Sequence, residues 1–272
     1  MQLSENLLNK DELSFAINKI TYFERATMHN LHYHDHYEIL YVTENERFLT
    51  INGVRYPLNK HSVAVIPPYI PHLTEAGEAV PQERILINFR EDFVHKIRKA
   101  LKTDILSCFN PTNPIIMIDD SVSMLISRLI DISETNNNNE HILLNLTDLL
   151  ITLCELSDGY ENDRSFFEVI KFTEENFGEK ITLATLAEKF YMSKYTILRK
   201  FKAYTGMGLP QYLNTIRIIN AKKLLADGDK IIDIALSCGF GSISNFDRVF
   251  LAETGISPRE YRKQANKYPP EA

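Results

Sequence analysis

The chain has no tryptophan, and its three cysteines, Cys108, Cys154 and Cys238, stand apart and outside any CxxC pair. That pattern argues against a disulfide framework or a thiolate metal site, and fits reduced core thiols in a cytosolic protein. No uninterrupted apolar run approaches the ~18 residues of a membrane-spanning helix, so no span is expected. The N-terminus lacks a basic region followed by an apolar run, and no signal peptide is expected. No P-loop, dinucleotide-binding or Ser-His-Asp signature occurs either.

What is present suits an ordinary folded protein. Apolar residues make up 44%, with 15 Phe and 13 Tyr, and charged residues make up 24%. At 272 residues, two domains is the natural expectation. The net charge of −6 argues against nucleic acid only if the chain is taken whole. Residues 1–160 carry 13 Lys and Arg against 22 Asp and Glu, which is −9, whereas residues 161–272 carry 17 against 14, which is +3. An acidic half joined to a mildly basic half suggests a sensor attached to a nucleic-acid reader.

The basic half contains an internal repeat, the feature to seek first in any chain. Leu186-Ala187, Ser193, Ile197, Arg199, Phe201-Lys202, Gly206 and Tyr212 return as Ile234-Ala235, Ser242, Phe246, Arg248, Phe250-Leu251, Gly255 and Tyr261. The offset is 48 at the first pair and 49 from the serine onward, so one copy has an extra residue in its turn. Each copy reads as a helix-turn-helix. Thr182 can cap a helix with Leu183, Leu186, Ala187 and Phe190 on one face, and Ser193 can cap a second. In the other copy Ile231, Ile232, Ile234 and Ala235 form the first helix, Gly239-Phe240-Gly241 the turn, and Ser242 the second cap. Between them Leu209 to Ala226 reads as one helix with Tyr212, Leu213, Ile216, Ile219, Ala221, Leu224 and Leu225 apolar, stopped by Asp227-Gly228. Its length, roughly 27 Å at 1.5 Å per residue, can set two recognition helices in successive major grooves about 34 Å apart.

These residues resemble the DNA-binding domain of the AraC/XylS family of transcription regulators over about 164–263. The second copy carries most of the likeness, in Ile234-Ala235, Gly239-Phe240, Phe246, Arg248, Phe250, Gly255, Pro258 and Tyr261-Arg262. Asn245 stands where the family usually has Tyr, and Leu251 where it usually has Lys, which alters a groove contact and removes a phosphate contact. The resemblance implies a two-domain α+β protein. A cupin-like effector-binding and dimerisation domain would occupy 1–160, with a β-barrel over about 15–92 and helices over about 93–157. An all-α DNA-binding domain would occupy 161–272, with helix-turn-helix units at about 181–204 and 230–254 joined by the long helix.

The acidic half supports that division. Tyr37–Val42, Arg47–Ile51, Ser62–Ile66 and Arg84–Phe89 read as strands, and Asn52-Gly53 is a hairpin signal. The period then becomes helical, with Phe93, Ile97, Ala100 and Leu101 on one helix and Ser121 to Ser133 on another. Asn136 to Asn139 reads as a loop, and a leucine stripe from Ile142 to Leu156 as a third helix. Residues 157–163 read as the linker, and 1–14 as a polar arm. In regulators of this type such helices mediate dimerisation, which implies a homodimer, although a leucine stripe is also ordinary core.

His32, His34, His36 and Glu38 share one parity and, on an extended strand, project from one face. With His72 they are candidates for lining an effector pocket. His32, His34, Glu38 and His72 also resemble the spacing of the cupin metal motifs, but Asn45, His61 and Tyr69 occupy places where those motifs have glycine. Effector lining is therefore preferred to metal binding, and no cofactor is expected. A pH-sensing role is a further alternative.

For DNA, position in the recognition helices selects Lys194, Tyr195, Leu198, Arg199 and Lys202 in the first copy, and Ser242, Ser244, Asn245, Asp247 and Arg248 in the second. Arg199 and Arg248 suit bidentate pairing with guanine, Asn245 suits adenine, and the lysines suit phosphates. The expected protein is a cytoplasmic, non-enzymatic transcription activator. Its partners are double-stranded promoter DNA, RNA polymerase, a second copy of itself and a small-molecule effector such as a sugar or other metabolite. Two alternatives remain: an isomerase or dioxygenase of the metal-cupin type carrying a DNA-binding tail, and a ligand-independent regulator.

Overall fold

The computed structural model describes residues 15–23, 31–102, 104–135, 139–157, 164–227 and 229–267. The arm expected over 1–14, loop residues 136–138, linker residues 158–163 and Gly228 of the helix stop lie outside them. The chain divides into two compact units, the second beginning at Arg164.

In the first unit the strands are β1 (Phe15–Tyr22), β2 (Tyr37–Glu44), β3 (Arg47–Ile51), β4 (Val54–Leu58), β5 (Ser62–Ile66), β6 (His72–Ala76) and β7 (Gln82–Phe89). They are followed by α1 (Glu91–Ala100), β8 (Ile115–Met117), α2 (Asp120–Thr135) and α3 (Asn139–Ser157). The expected barrel is built as two antiparallel sheets, ordered β1-β7-β2-β5-β8 and β4-β3-β6. Their backbone ladders do not join, and side chains bridge them instead. Arg47 Nη1 donates to Gln82 Oε1 at 2.8 Å, and Arg84 Nη1 to Thr74 Oγ1 at 3.4 Å. β4 is the exposed edge of the small sheet and carries Pro57, which lacks the N–H that a further strand would need.

The Asn-Gly signal was read correctly, for Ile51 pairs with Val54 across Asn52 and Gly53, both at positive φ. β2 is buried at every position from Tyr37 to Val42 because both of its faces are covered. Its inner face looks toward the small sheet. Its outer face meets the helices, where the Tyr41 hydroxyl lies 3.0 Å from Ser123 Oγ of α2. The leucine stripe of α3 is mostly core, with Ile142, Leu146, Leu149, Leu150 and Leu153 buried, but Leu156 at its end is exposed.

The second unit is all helical: α4 (Arg164–Glu175), α5 (Leu183–Lys189), α6 (Lys194–Thr205), α7 (Leu209–Asp227), α8 (Ile231–Ser237), α9 (Ile243–Thr254) and α10 (Pro258–Lys267). The α5–α6 and α8–α9 pairs are the two repeat copies, and α7 is the long helix between them. The sequence reading needs one correction on α7, because Ile218 is fully buried while Ile219 is only partly so. A single apolar stripe was assumed, but α7 serves two cores on different faces. Tyr212 packs edge-on to Phe201 at 5.4 Å, and its hydroxyl donates to Glu174 of α4. Farther along, Ile218, Ala221 and Leu225 join Ile234, Phe240, Phe246 and Phe250 of the second copy.

The two turns share one hydrogen-bond plan. Met192 N–H donates to Ala187 O at 3.0 Å, and Phe240 N–H to Ala235 O at 2.9 Å. The residue before each is left-handed, with Gly239 at φ 78° and Tyr191 at φ 54°. A Cβ at Gly239 would lie 2.5 Å from Gly178 O, so the second copy requires glycine there. Tyr191, 97% exposed, has no such neighbour crowding it and only the backbone strain to bear. Gly239→Ala is expected to lower unfolding stability by more than about 1–2 kcal/mol, the left-handed cost alone. Tyr191→Gly should stay within about 1 kcal/mol of the parent chain. Denaturant unfolding of the two variants checks this, and equal losses would refute the account of the turn.

Candidate nucleic-acid interface and effector site

Each recognition helix is started by a serine. Ser193 Oγ accepts from Thr196 N–H at 3.0 Å, and Ser242 Oγ from Asn245 N–H at 3.2 Å. Thr182 and Thr185 form a reciprocal capping box at the start of α5. Gly206 and Gly255, both left-handed, end α6 and α9, and Thr205 and Thr254 brace these ends identically. The Thr pair extends the repeat beyond the residues recognised from sequence. Comparison at the 49-residue offset would have found it.

Caps and buried faces fix which side chains point outward. Phe246, Val249 and Phe250 anchor α9, and Ile197 and Phe201 anchor α6. Lys194, Tyr195, Leu198 and Arg199 occupy the first two turns of α6, with Tyr195 73% and Leu198 48% exposed. Ser244, Asn245, Asp247 and Arg248 are exposed on the first turns of α9. Tyr195 and Leu198 are thus open to a partner surface, and a base-pair edge with its thymine methyls is one such surface.

Two expected contacts have further duties. Ser242 is committed to its cap, and Lys202, in the last turn of α6, donates its ammonium to Gly206 O. Arg248 Nη2 donates to Asn245 Oδ1 at 2.9 Å, which holds the guanidinium over the start of α9. Sequence reasoning missed Arg217. It donates to Phe177 O at 2.8 Å and Glu179 O at 2.9 Å, and it stands over the Phe240 ring at 5.7 Å. Arg217 thereby ties the turn of the second copy to the segment before α5. With Lys180, Lys194 and Asn214 it lines an open cleft of about 820 Å³ bordered by both repeat copies.

In the first unit the histidines converge, though by another route than the parity argument supposed. Regular strand begins only at Tyr37. His32 instead bridges β6, exchanging backbone hydrogen bonds with His72 at 3.0 and 2.9 Å. His34 and His36 then stack at 3.8 Å across a bend. His34 Nε2 lies 3.4 Å from Glu38 Oε2, and the rings of His32 and His72 are 4.2 Å apart. His36 turns its Nδ1 to Asp35 at 3.4 Å. Two of the three positions where cupin motifs carry glycine, Asn45 and Tyr69, keep a left-handed backbone, so the turns persist without the residue type.

Burial pulls the His72 imidazole down to about 3, with the charge of His34 adding to the effect. Burial also lowers His36 to about 4, against the opposing hydrogen bond to Asp35. Burial thus favours the neutral imidazole at both positions. Burial works against the Glu38 carboxylate, but the neighbouring His34, with His72 and His36, holds it well below the usual range.

Residues 20–150 match the model of an AraC-like ligand binding domain, and residues 186–264 that of a helix-turn-helix domain. The HTH-type transcriptional activator RhaS of Enterobacter sp. (strain 638) is 28% identical over 244 residues, 85% of this chain and 87% of RhaS. RhaS of Salmonella arizonae is 25% identical over 250 residues, 88% and 89% of the two chains. Among solved structures, ToxT from Vibrio cholerae aligns over 92% of this chain and 98% of its own, with a TM-score of 0.54 and 16% identity. That likeness is one of fold.

Removing either serine cap tests whether the caps position the recognition helices. Ser193→Ala and Ser242→Ala should each cost about 1 kcal/mol of stability. Each should also weaken DNA binding in a fluorescence-anisotropy titration. Unchanged stability in both would show that the caps are not what starts these helices.

Proposed function

Because this chain belongs to the AraC/XylS family of transcription regulators, we propose that it activates promoters as a homodimer, by inserting α6 and α9 into successive major grooves. The observation that carries this reading is the duplicated recognition unit, with the same cap, turn and C-terminal brace in both copies. α7 spans 19 residues, about 28 Å of helix, so one polypeptide can address a bipartite site of two adjacent grooves. Arg199 and Arg248 read bases, Asn245 orients Arg248, and Lys194 neutralises a phosphate. An activating role follows the RhaS relatives, which are named as transcriptional activators; contact with RNA polymerase in the cytoplasm belongs to the same proposal.

The input is a small molecule, a sugar or other metabolite, bound by the first unit near His32, His34, His36, Glu38 and His72. Coupling requires that this effector bind two arrangements of the protein unequally, since a ligand indifferent to them shifts nothing. The metal-cupin enzyme reading is set aside, because the family consists of regulators rather than enzymes.

Genome-wide occupancy of the tagged chain, beside an Arg199→Ala, Arg248→Ala double variant, tests the reading. Discrete promoters occupied by the parent and lost by the variant are expected, each arginine contributing about 1–3 kcal/mol of base discrimination. Lys194→Ala should instead weaken all sites alike and lower the salt slope of binding by about 1. Absence of discrete sites in the parent would sink the proposal.

A further inference from the structure

We propose that His32, His34, His72 and Glu38 form a binding site for a divalent first-row transition-metal ion in the first unit. The inference begins with His72, which is fully buried on β6. Its Nδ1 meets Ile70 O at 2.9 Å, and since a carbonyl only accepts, that nitrogen carries the ring hydrogen. Nε2 is then a bare lone pair, buried and without a hydrogen-bond partner. A core histidine held for structure alone has both nitrogens satisfied, because an unsatisfied buried acceptor costs about 1–3 kcal/mol.

His34 repeats the pattern. Its Nδ1 meets His36 O at 2.9 Å, which again leaves the lone pair on Nε2. That nitrogen faces Glu38 Oε2 at 3.4 Å, beyond the about 2.7–2.9 Å of a charge-assisted hydrogen bond. Two acceptors that face each other at this distance are stabilised by a cation between them. A backbone carbonyl on the far nitrogen, fixing tautomer and ring orientation, is the outer-shell arrangement typical of metal-ligating histidines.

The third imidazole is placed by backbone. The paired hydrogen bonds between His32 and His72 lock their relative register. One ring nitrogen each from His32, His34 and His72 lies within 4.8 Å of the others. Ligands at about 2.0–2.1 Å from a common ion have to stand within that range of one another. The donor set selects the ion. Three imidazole nitrogens and one carboxylate suit Zn²⁺, Fe²⁺, Co²⁺ or Ni²⁺, whereas Ca²⁺ and Mg²⁺ require mostly oxygen. Glu38 joins through His34, which it shares with a second set, His34, His36 and Glu38, whose ligand atoms also lie within 4.8 Å of one another. His36, with its Nδ1 on Asp35, is left out of the proposed four.

The assignment rests on these four residues and not on the DNA-binding reading, so either can fail while the other stands. The test uses the full chain, stripped with chelator and titrated with Co²⁺ alone. Stoichiometric binding with visible ligand-field bands, displaced by Zn²⁺, is expected. Zn²⁺ should also raise the thermal midpoint. Glu38→Gln, of the same shape, should weaken Co²⁺ by about 10–100-fold. His32→Ala, at a half-buried position, should abolish the bands while the far-ultraviolet dichroism of the fold is retained. His61→Ala, at an exposed histidine, should bind as the parent does. Absence of stoichiometric Co²⁺ binding by the parent overturns the proposal. So does equal binding by the parent and a folded His32→Ala variant, or loss of binding in His61→Ala.

Discussion

Burial of α7 on two faces is the constraint on which the second unit depends. A helix that packed one stripe would leave the other repeat copy without a core, because neither pair of short helices buries enough apolar surface by itself. Its early turns carry Tyr212, Leu213 and Ile216 into the core of the first copy, and later turns carry Ile218, Ala221 and Leu225 into that of the second. Each fully buried side chain of this size stabilises by about 1.5–3 kcal/mol relative to exposure, so the rod is held firmly at both ends. A rigid rod converts two local folding problems into one fixed separation between recognition helices. That separation is what a bipartite DNA site measures.

The exposed faces of α6 and α9 follow from the same packing. Once Ile197 and Phe201, or Phe246, Val249 and Phe250, are turned inward, the remaining positions of the first two turns have no direction left but outward. Serine caps sharpen this by fixing where each helix begins, and the left-handed glycines Gly206 and Gly255 by fixing where it ends. Under the proposed insertion into DNA, side chains on a helix bounded this tightly lose little entropy when they meet a groove. The hydrogen bond from Arg248 to Asn245 reduces that loss further, since the guanidinium is already oriented.

The repeat, the caps, the central helix and the Asn-Gly hairpin were all legible, because each depends on contacts close in sequence. What escaped depends on distant partners. The exception is α10, which opens on a capping box between Ser257 and Glu260, with Pro258 in its first turn, a start signal that the sequence reading passed over. Ile218 looked like the wrong side of a stripe until the second core was known. The division of the β domain into two sheets turns on side-chain bridges between strands far apart in the chain, such as Arg47 to Gln82. At the histidine cluster the side chains come together, but for another reason than the one read from sequence. Parity on a strand predicted convergence, whereas a bend and a backbone bridge between His32 and His72 produce it.

Register on the inner face of the large sheet separates the polar groups of the first unit into two ends. Glu38 stands opposite Asn88, Leu40 opposite Leu86, and Val42 opposite Arg84. On the small sheet Ile51 pairs with His72, Leu49 with Thr74, and Arg47 with Ala76. Histidines and a carboxylate therefore sit at one end, aliphatic residues in the middle, and two guanidiniums with Tyr22 and Gln82 at the other. Arg84 Nη2 donates to the Tyr22 hydroxyl at 2.9 Å. Burial and the charge of Arg84 together pull Arg47 down to about 10. Two like charges buried side by side work against folding, and apolar residues of similar volume would be more stable there. A fold selected for stability alone would fill both ends with aliphatic side chains. Polar ends flanking an apolar middle are the arrangement that the proposed effector reading calls on, with the ends to orient a guest and the middle to supply contact area.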